Sequence, residues 1–318
     1  MQCEITRNGH HLYVDDETRR TCLARPLIEC HALYHQICRN VFAAERGAAP
    51  APESDLFDRG FQVLRGCLTE ARAMEISAAV SNAVGETDGV LTGIAIDDSL
   101  APLMIEALEA TLSEETERLL EAYYASHFRV AHCQLYRTET LGDRHYSFRW
   151  HRDVEPMAQL HVMIYFSPSG PEDGGTEFID FADTGRLAAH GYAFGAFEDR
   201  VRELAAALPE GEDPPAPHRP ELVAGDAAVF AAPRILHRGI APKRGHRDVL
   251  VLNIMPSLVP WRNTLAEFGT GHLFDSGTST RNTLMSDPFD PLMAHYPGAE
   301  TGPITLPRWA MLGAMLPD

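Results

Sequence analysis

Trp150-His151-Arg152-Asp153, then Pro233-Arg234-Ile235-Leu236-His237, then Arg247 ten residues further on, decide how this chain is read. His151 and Asp153 are two residues apart, so on an extended strand their side chains leave the same face. His237 follows His151 by 86 residues, and joining it to that pair requires a fold that brings distant strands together. A β-barrel or jelly roll does so. Two imidazoles and one carboxylate suit a divalent iron held on one side, with its remaining positions open. An arginine on a strand just past the second histidine suits a dicarboxylic acid beside that metal, because the guanidinium matches a carboxylate in shape and charge.

The flanking segments read as strands. From Gln159 to Phe166 the pattern alternates, with Leu160, Val162, Ile164 and Phe166 on one face and Gln159, His161, Met163 and Tyr165 on the other. Asp173-Gly174-Gly175 signals a turn, after which Thr176 to Ile179 resumes a strand. Gly225-Asp226 signals another, before a short apolar strand from Ala227 to Phe230. A last strand runs from Arg247 to Met255, with Arg247, Val249, Val251, Asn253 and Met255 sharing one face.

The ordered set Cys133-Gln134-Leu135-Tyr136, His151-Arg152-Asp153, Ile164-Tyr165-Phe166, Gly174-Gly175-Thr176-Glu177-Phe178, Gly225-Asp226-Ala227-Ala228-Val229-Phe230, His237-Arg238-Gly239 and Gly245-His246-Arg247 resembles the Fe(II)/2-oxoglutarate-dependent dioxygenases. Within them it is most similar to the prolyl-4-hydroxylase-like and phytanoyl-CoA-hydroxylase-like branches. The resemblance covers roughly residues 129–257. It implies an α+β fold whose core is a double-stranded β-helix (jelly-roll, cupin-like) with supporting N-terminal helices. It implies Fe(II) held by His151, Asp153 and His237, and 2-oxoglutarate as co-substrate with its distal carboxylate on Arg247. Tyr136 and Thr176 match positions that contact the co-substrate, and Asn253 joins them as an inward polar residue. Trp150, Phe166 and Arg234 are the expected substrate-pocket residues. The implied reaction consumes O2, hydroxylates a C–H bond of a small molecule and releases succinate and CO2. Desaturation or ring closure remains open, and the carboxylate of Asp153 argues against halogenation. One alternative is a peptide (prolyl-type) hydroxylase with the same chemistry. Another, of a different class, is a jelly-roll module that binds a metal or ligand without turnover.

Plainer readings stand beside these. The chain has 15 histidines, so a lone His-x-Asp is weak, and a second one occurs at His246-Arg247-Asp248. That stretch, through Asn253, also fits the loose kinase pattern H-R-D-x-x-x-x-N, but a glycine-rich loop and Asp-Phe-Gly are both missing. The plainer reading of Arg247 is a surface salt bridge at the end of the barrel. Inward asparagines like Asn253 are more often satisfied core groups than ligands. Trp150 and Trp261 fit packing as well as substrate stacking. Cys30, His31, His35 and Cys38 lie among Leu27, Ile28, Leu33 and Ile37, and their spacing follows no standard zinc pattern. Packed thiols and imidazoles are the better reading of that cluster.

A formal net charge of −18 disfavours nucleic acid and anionic membranes as partners. The local basic group Arg234, Arg238, Lys243, Arg244 and Arg247 fits an anionic co-substrate. Six cysteines without framework spacing, a polar start at 1–11 and no apolar run near 18 residues point to a cytoplasmic protein, monomer or homodimer, without a membrane span. Three regions are expected. Residues 1–55 form a helical extension, with a helix from Pro26 to Glu45 and a linker from Gly47 to Pro52. Residues 56–257 form the core, opening on a strand at 58–66, a helix capped by Thr69 through Val84 and one helix from Leu103 to Ser126. Residues 184–220 interrupt it as an insertion, helical over Phe197 to Leu208 and suited to a lid. Residues 258–318 form a loop-rich extension packed on the core.

Overall fold

In the computed structural model, residues 3–5, 12–14, 22, 27–47, 53–84, 91–140, 146–153, 156–193, 199–274 and 288 are described. The elements run β1 (Cys3–Ile5), β2 (Leu12–Val14), α1 (Leu27–Arg46), α2 (Asp55–Arg59), β3 (Phe61–Leu64), α3 (Glu70–Ala83), β4 (Leu91–Ile94), α4 (Ala101–Thr111), α5 (Glu114–Tyr124), β5 (His127–Glu139), β6 (Leu160–Tyr165), β7 (Gly175–Phe178), α6 (Phe181–Ala189), β8 (Ala227–Phe230), β9 (His237–Ile240), β10 (His246–Ser257) and α7 (Trp261–Phe268). Strands β3, β8, β6, β10, β5 and β4 form one antiparallel sheet in that order. Strands β7 and β9 form a second layer. Backbone bridges extend it, His151 to His237 on one side and Phe178 to His218 on the other.

Period-two alternation separates two cores. Leu160, Val162, Ile164 and Phe166 join Leu250, Leu252 and Ile254 on the outer face of the large sheet. There they pack against Ile76 and Val80 of α3, Met104 and Leu108 of α4, and Leu120 and Tyr124 of α5. Each buried aliphatic side chain contributes about 2 kcal/mol. On the inner face Tyr165, Ala228, Phe230, Val249 and Val251 meet Phe61 and Phe178, closing the two layers over a narrow interior. Phe61 stacks on Phe178 with centroids 4.9 Å apart.

The expected helix from Leu103 to Ser126 is two helices. Leu112 leaves helical geometry, and the Ser113 hydroxyl accepts the Thr116 N–H at 3.4 Å. Glu114, Glu115 and Glu117 then fill the first turn of α5, where carboxylates favour the positive helix end. Helix α6 lies in a stretch with no expected helix and is capped by Asp180, which accepts the Asp183 N–H at 2.9 Å. Of the helix expected over Phe197 to Leu208, the described part holds only a 3-10 turn, Leu204–Ala207. Val201 is tethered on both sides, its carbonyl accepting from Trp150 N–H and its N–H donating to the Tyr192 hydroxyl, so the chain there cannot coil. Residues 194–198, most of the Gly47 to Pro52 linker and all of the tail beyond 274 except Pro288 lie outside the described residues.

The Gly225-Asp226 turn explains how β8 is placed. Gly225 has φ +95, and a Cβ there would stand 2.3 Å from the Leu68 carbonyl oxygen. The Asp226 carboxylate accepts from the N–H groups of Gly66 (2.8 Å) and Val223 (3.1 Å) and from Arg65 Nη1 (2.6 Å).

Asp248 of the kinase-like stretch is buried and points to the helical side of the large sheet. Arg137 of β5 grips it through Nε (2.8 Å) and Nη2 (2.7 Å), Ser77 of α3 donates to it at 2.7 Å, and Arg137 also reaches Ser81. This pair joins the helical layer to the sheet, which gives the aspartate a structural role. Asp248→Ala is expected to cost about 3–5 kcal/mol, because the Arg137 charge is left buried and uncompensated. Arg137→Met/Asp248→Leu is expected to recover part of that loss. Urea unfolding of both variants measures it.

Candidate metal centre and anion site

Main-chain pairing brings the three expected ligands together. His151 N–H donates to the His237 carbonyl at 3.1 Å and His237 N–H to the His151 carbonyl at 2.9 Å. Asp153 is anchored by its N–H to the Ala232 carbonyl at 3.1 Å. His151 Nε2 then stands 3.5 Å from Asp153 Oδ1, and His237 Nε2 3.6 Å from Asp153 Oδ2. One donor atom from each residue lies within 4.8 Å of the others, and this is the only such group among the described residues.

The tautomers fit a metal. His151 Nδ1 lies 2.7 Å from the Arg149 carbonyl and His237 Nδ1 3.2 Å from the Ile235 carbonyl. A carbonyl only accepts, so each Nδ1 carries the proton and each Nε2 lone pair faces the carboxylate. Burial pushes His237 down to about 4, which keeps it neutral and ready to coordinate. Burial pushes Asp153 up, opposed by the His161 and Arg200 charges. Arg200 belongs to the 184–220 segment, so that segment contributes charge to the centre.

Arg247 lies on the large-sheet wall of the same interior. Its side chain is 4% exposed. Nη2 reaches Thr138 Oγ1 at 3.4 Å, while Nε and Nη1 are buried without a hydrogen-bond partner among the described residues. Its Cζ is 6.0 Å from the Tyr165 ring centroid. A buried guanidinium with two unmatched nitrogens is costly, and a carboxylate would fit it. Tyr165 and Thr176 stand at this end, the tyrosine hydroxyl donating to Thr176 Oγ1 at 3.0 Å. Half-buried Tyr136 packs in the same cluster.

Asn253 shares the wall with Arg247 but lies at its other end. It pairs with His161 across the strands, accepts from Gln159 Nε2 at 2.8 Å and donates to His132 Nδ1 at 3.2 Å. Six residues of strand, about 20 Å between Cα atoms, separate it from Arg247, so Asn253 stands beside His161 and apart from the Arg247, Tyr165 and Thr176 group. The three expected pocket residues are used elsewhere. Trp150 is 1% exposed. It packs with Ile179, Leu187, Leu204 and Leu236 behind the second layer, under the Arg238 guanidinium. Phe166 falls on the outer face by the alternation of β6 and joins the helical core. Arg234 donates to the Tyr123 hydroxyl at 3.1 Å and lies over the Phe181 ring, outside the interior. In the Cys30 cluster, His35 bonds the Tyr124 carbonyl and Cys38 packs with Tyr34, Ile37 and Val41.

His161 is a site residue without a sequence motif. Its Nδ1 lies 3.6 Å from Asp153 Oδ2, and its Nε2 accepts from Gln159 Nε2 at 3.0 Å. Its signal is the alternation that puts it on the face opposite Leu160 and Val162.

No protein-family model matches the chain, and no curated protein matches it. Solved structures do. The non-heme α-ketoglutarate-dependent carbocyclase SnoK of nogalamycin biosynthesis is 18% identical with a TM-score of 0.43, over 69% of this chain and 87% of its own. HygX of Streptomyces hygroscopicus, solved with nickel, 2-oxoglutarate and hygromycin B, is 16% identical with a TM-score of 0.42, over 64% and 86%. EvdO2 of Micromonospora carbonacea var. aurantiaca is 16% identical with a TM-score of 0.44, over 64% and 89%. Likeness at this level leaves the functional reading to the residues themselves.

Burial holds His132, His161 and His237 each at about 4, against an ordinary 6.5. Between those values the unfolded chain takes up protons that the folded one refuses. The metal-free protein is therefore expected to keep full stability above about pH 6.5. It should lose about 1.4 kcal/mol per pH unit for each histidine as pH falls toward 4. Urea unfolding across this range measures it, and a flat profile contradicts it.

Proposed function

We propose that the chain is an Fe(II)- and 2-oxoglutarate-dependent oxygenase that hydroxylates a small molecule. The observation that carries the reading is an interior between two layers, with the His151, Asp153 and His237 donors on the side of β9. From the large sheet a buried Arg247 enters the same interior, without a counter-ion among the described residues. Two antiparallel layers closing over that interior suit a double-stranded β-helix core. Within the chain, 56–257 would form the catalytic body, and 184–220, through Arg200, would cover the metal.

His151, Asp153 and His237 would hold Fe(II) on one side, leaving adjacent positions for the co-substrate and O2. When bound, the iron supplies O2 activation coupled to decarboxylation of 2-oxoglutarate, giving succinate and CO2. The protein's residues orient and exclude. Arg247 pairs the distal carboxylate of 2-oxoglutarate through Nε and Nη1. The Tyr165 hydroxyl, which burial keeps protonated, is a neutral donor close by. Tyr136 and Thr176 narrow that end. Apolar Met163, Val251 and Phe230 line the interior and keep water from the reacting centre. His161 holds its Nδ1–H toward Asp153 and limits its rotation.

The imidazoles are almost fully buried, His151 at 5% and His237 at 6% exposed, which favours a small enclosed substrate over a protein side chain.

Purified protein given Fe(II), 2-oxoglutarate and O2 is expected to form succinate, and His151→Ala or Asp153→Ala to abolish it. Wild-type rates in either variant would end the assignment. Arg247→Met is expected to raise the KM for 2-oxoglutarate about 30-fold or more, from the loss of a buried charged pair worth at least about 2 kcal/mol. Iron affinity should change far less. Steady-state kinetics and metal titration of the same variant separate the two effects.

A further inference from the structure

Beside the metal ligands the interior carries a hydrogen-bond chain whose ends are open. The Gln159 side-chain amide nitrogen has two protons, one given to His161 Nε2 at 3.0 Å and the other to Asn253 Oδ1 at 2.8 Å. Gln159 is 0% exposed, and its Oε1 is buried with no donor. Asn253 Nδ2 can only donate, so His132 Nδ1 accepts from it and the His132 proton sits on Nε2. His132 is 7% exposed, and that Nε2–H is buried with no acceptor. The chain therefore ends in one unmatched acceptor and one unmatched donor. Burial keeps the His132 ring neutral, with its pKa near 4.

The chain runs beside the candidate metal centre. His161 links the chain to Asp153 at 3.6 Å. His132 faces Asn253 on one side of β10 as His161 faces it on the other. Folded proteins rarely leave such groups unpaired, since each costs about 1–3 kcal/mol. A ligand that supplies both partners removes two such costs at once. A hydroxylated ligand offers both kinds of partner, an oxygen that accepts from His132 and an O–H that donates to Gln159.

Resting on the oxygenase reading above, we propose that Gln159 Oε1 and His132 Nε2–H form the substrate-recognition site for an alcohol group, so that the substrate is a hydroxylated small molecule. Gln159 and His132 set specificity, and Asn253 and His161 fix their orientation. An analogue lacking the hydroxyl would leave both groups unpaired, which is the situation in which buried polar sites discriminate most strongly.

The histidine-ring region of 1H–15N spectra, recorded on protein loaded with Zn(II) and 2-oxoglutarate, tests this. The probes are cyclohexanol and cyclohexyl methyl ether, which accepts a hydrogen bond but cannot donate one. The expected result is a His132 resonance protonated at Nε2 that moves on titration with cyclohexanol, and at least tenfold weaker binding of the ether. Gln159→Met is expected to bring the two probes within about twofold of each other. Equal binding of both probes by the wild type, an unmoved His132 signal, or a proton on His132 Nδ1 would each overturn the proposal without need of the variant. Loading itself reads the metal centre separately through His151 and His237. If those signals stay still while His132 responds to the alcohol, the metal assignment fails and the hydroxyl site stands.

Discussion

Two main-chain hydrogen bonds between His151 and His237, with a third from Asp153 to Ala232, hold together segments about 80 residues apart in sequence. They are short-range contacts, yet they exist only because β7 and β9 form a layer facing the larger sheet. The ligand side chains inherit their positions from that layer. Backbone pairing fixes Cα positions, carbonyls of Arg149 and Ile235 fix the ring tautomers, and His161 Nδ1 stands 3.6 Å from the Asp153 carboxylate. The candidate centre thus rests on the start of β9 and on residues 151–153, which main-chain hydrogen bonds tie to His237 and Ala232.

The interior is unusual in what it leaves unmatched. The outer face of the large sheet is packed with aliphatic side chains, and its buried Arg137–Asp248 pair is matched. The inner wall carries Arg247, Gln159 and His132 with buried nitrogens or oxygens that meet nothing. Stability alone would favour apolar residues at these positions. Under the proposed function, 2-oxoglutarate and substrate would complete the hydrogen bonding there. The apolar residues between the two ends, Met163 and Val251, separate a charged demand from a neutral one.

Much of the scaffold was legible in the sequence because period-two patterning is strong where both faces of a strand are buried against different layers. The strands expected at Gln159 to Phe166, Ala227 to Phe230 and Arg247 to Met255 form close to those bounds. So does the Thr69-capped helix. The break at Leu112 was not, since a single serine cap inside a continuous amphipathic pattern looks like helix interior. Pocket residues were harder still. Trp150 and Phe166 stand next to motif residues in sequence, but a strand sends neighbours to opposite faces, and both point away from the interior. His161, Gln159 and His132 carry no motif. Their relation appears only when three strands are laid side by side, since each holds one or two members of the chain.

Arg247 and Asp248 are adjacent on β10 and face opposite ways, the arginine toward the interior and the aspartate toward Arg137 beneath the helices. Sliding β10 by a single position between β5 and β6 would exchange them. The carboxylate would enter the anion-seeking end of the barrel, and the guanidinium would be driven against Arg137, like charge upon like in a dry layer. Leu250, Leu252 and Ile254 would turn inward at the same moment. One dipeptide thereby acts as a lock on strand alignment, and the alternative pairing that a long apolar strand would otherwise tolerate is closed to this chain during folding.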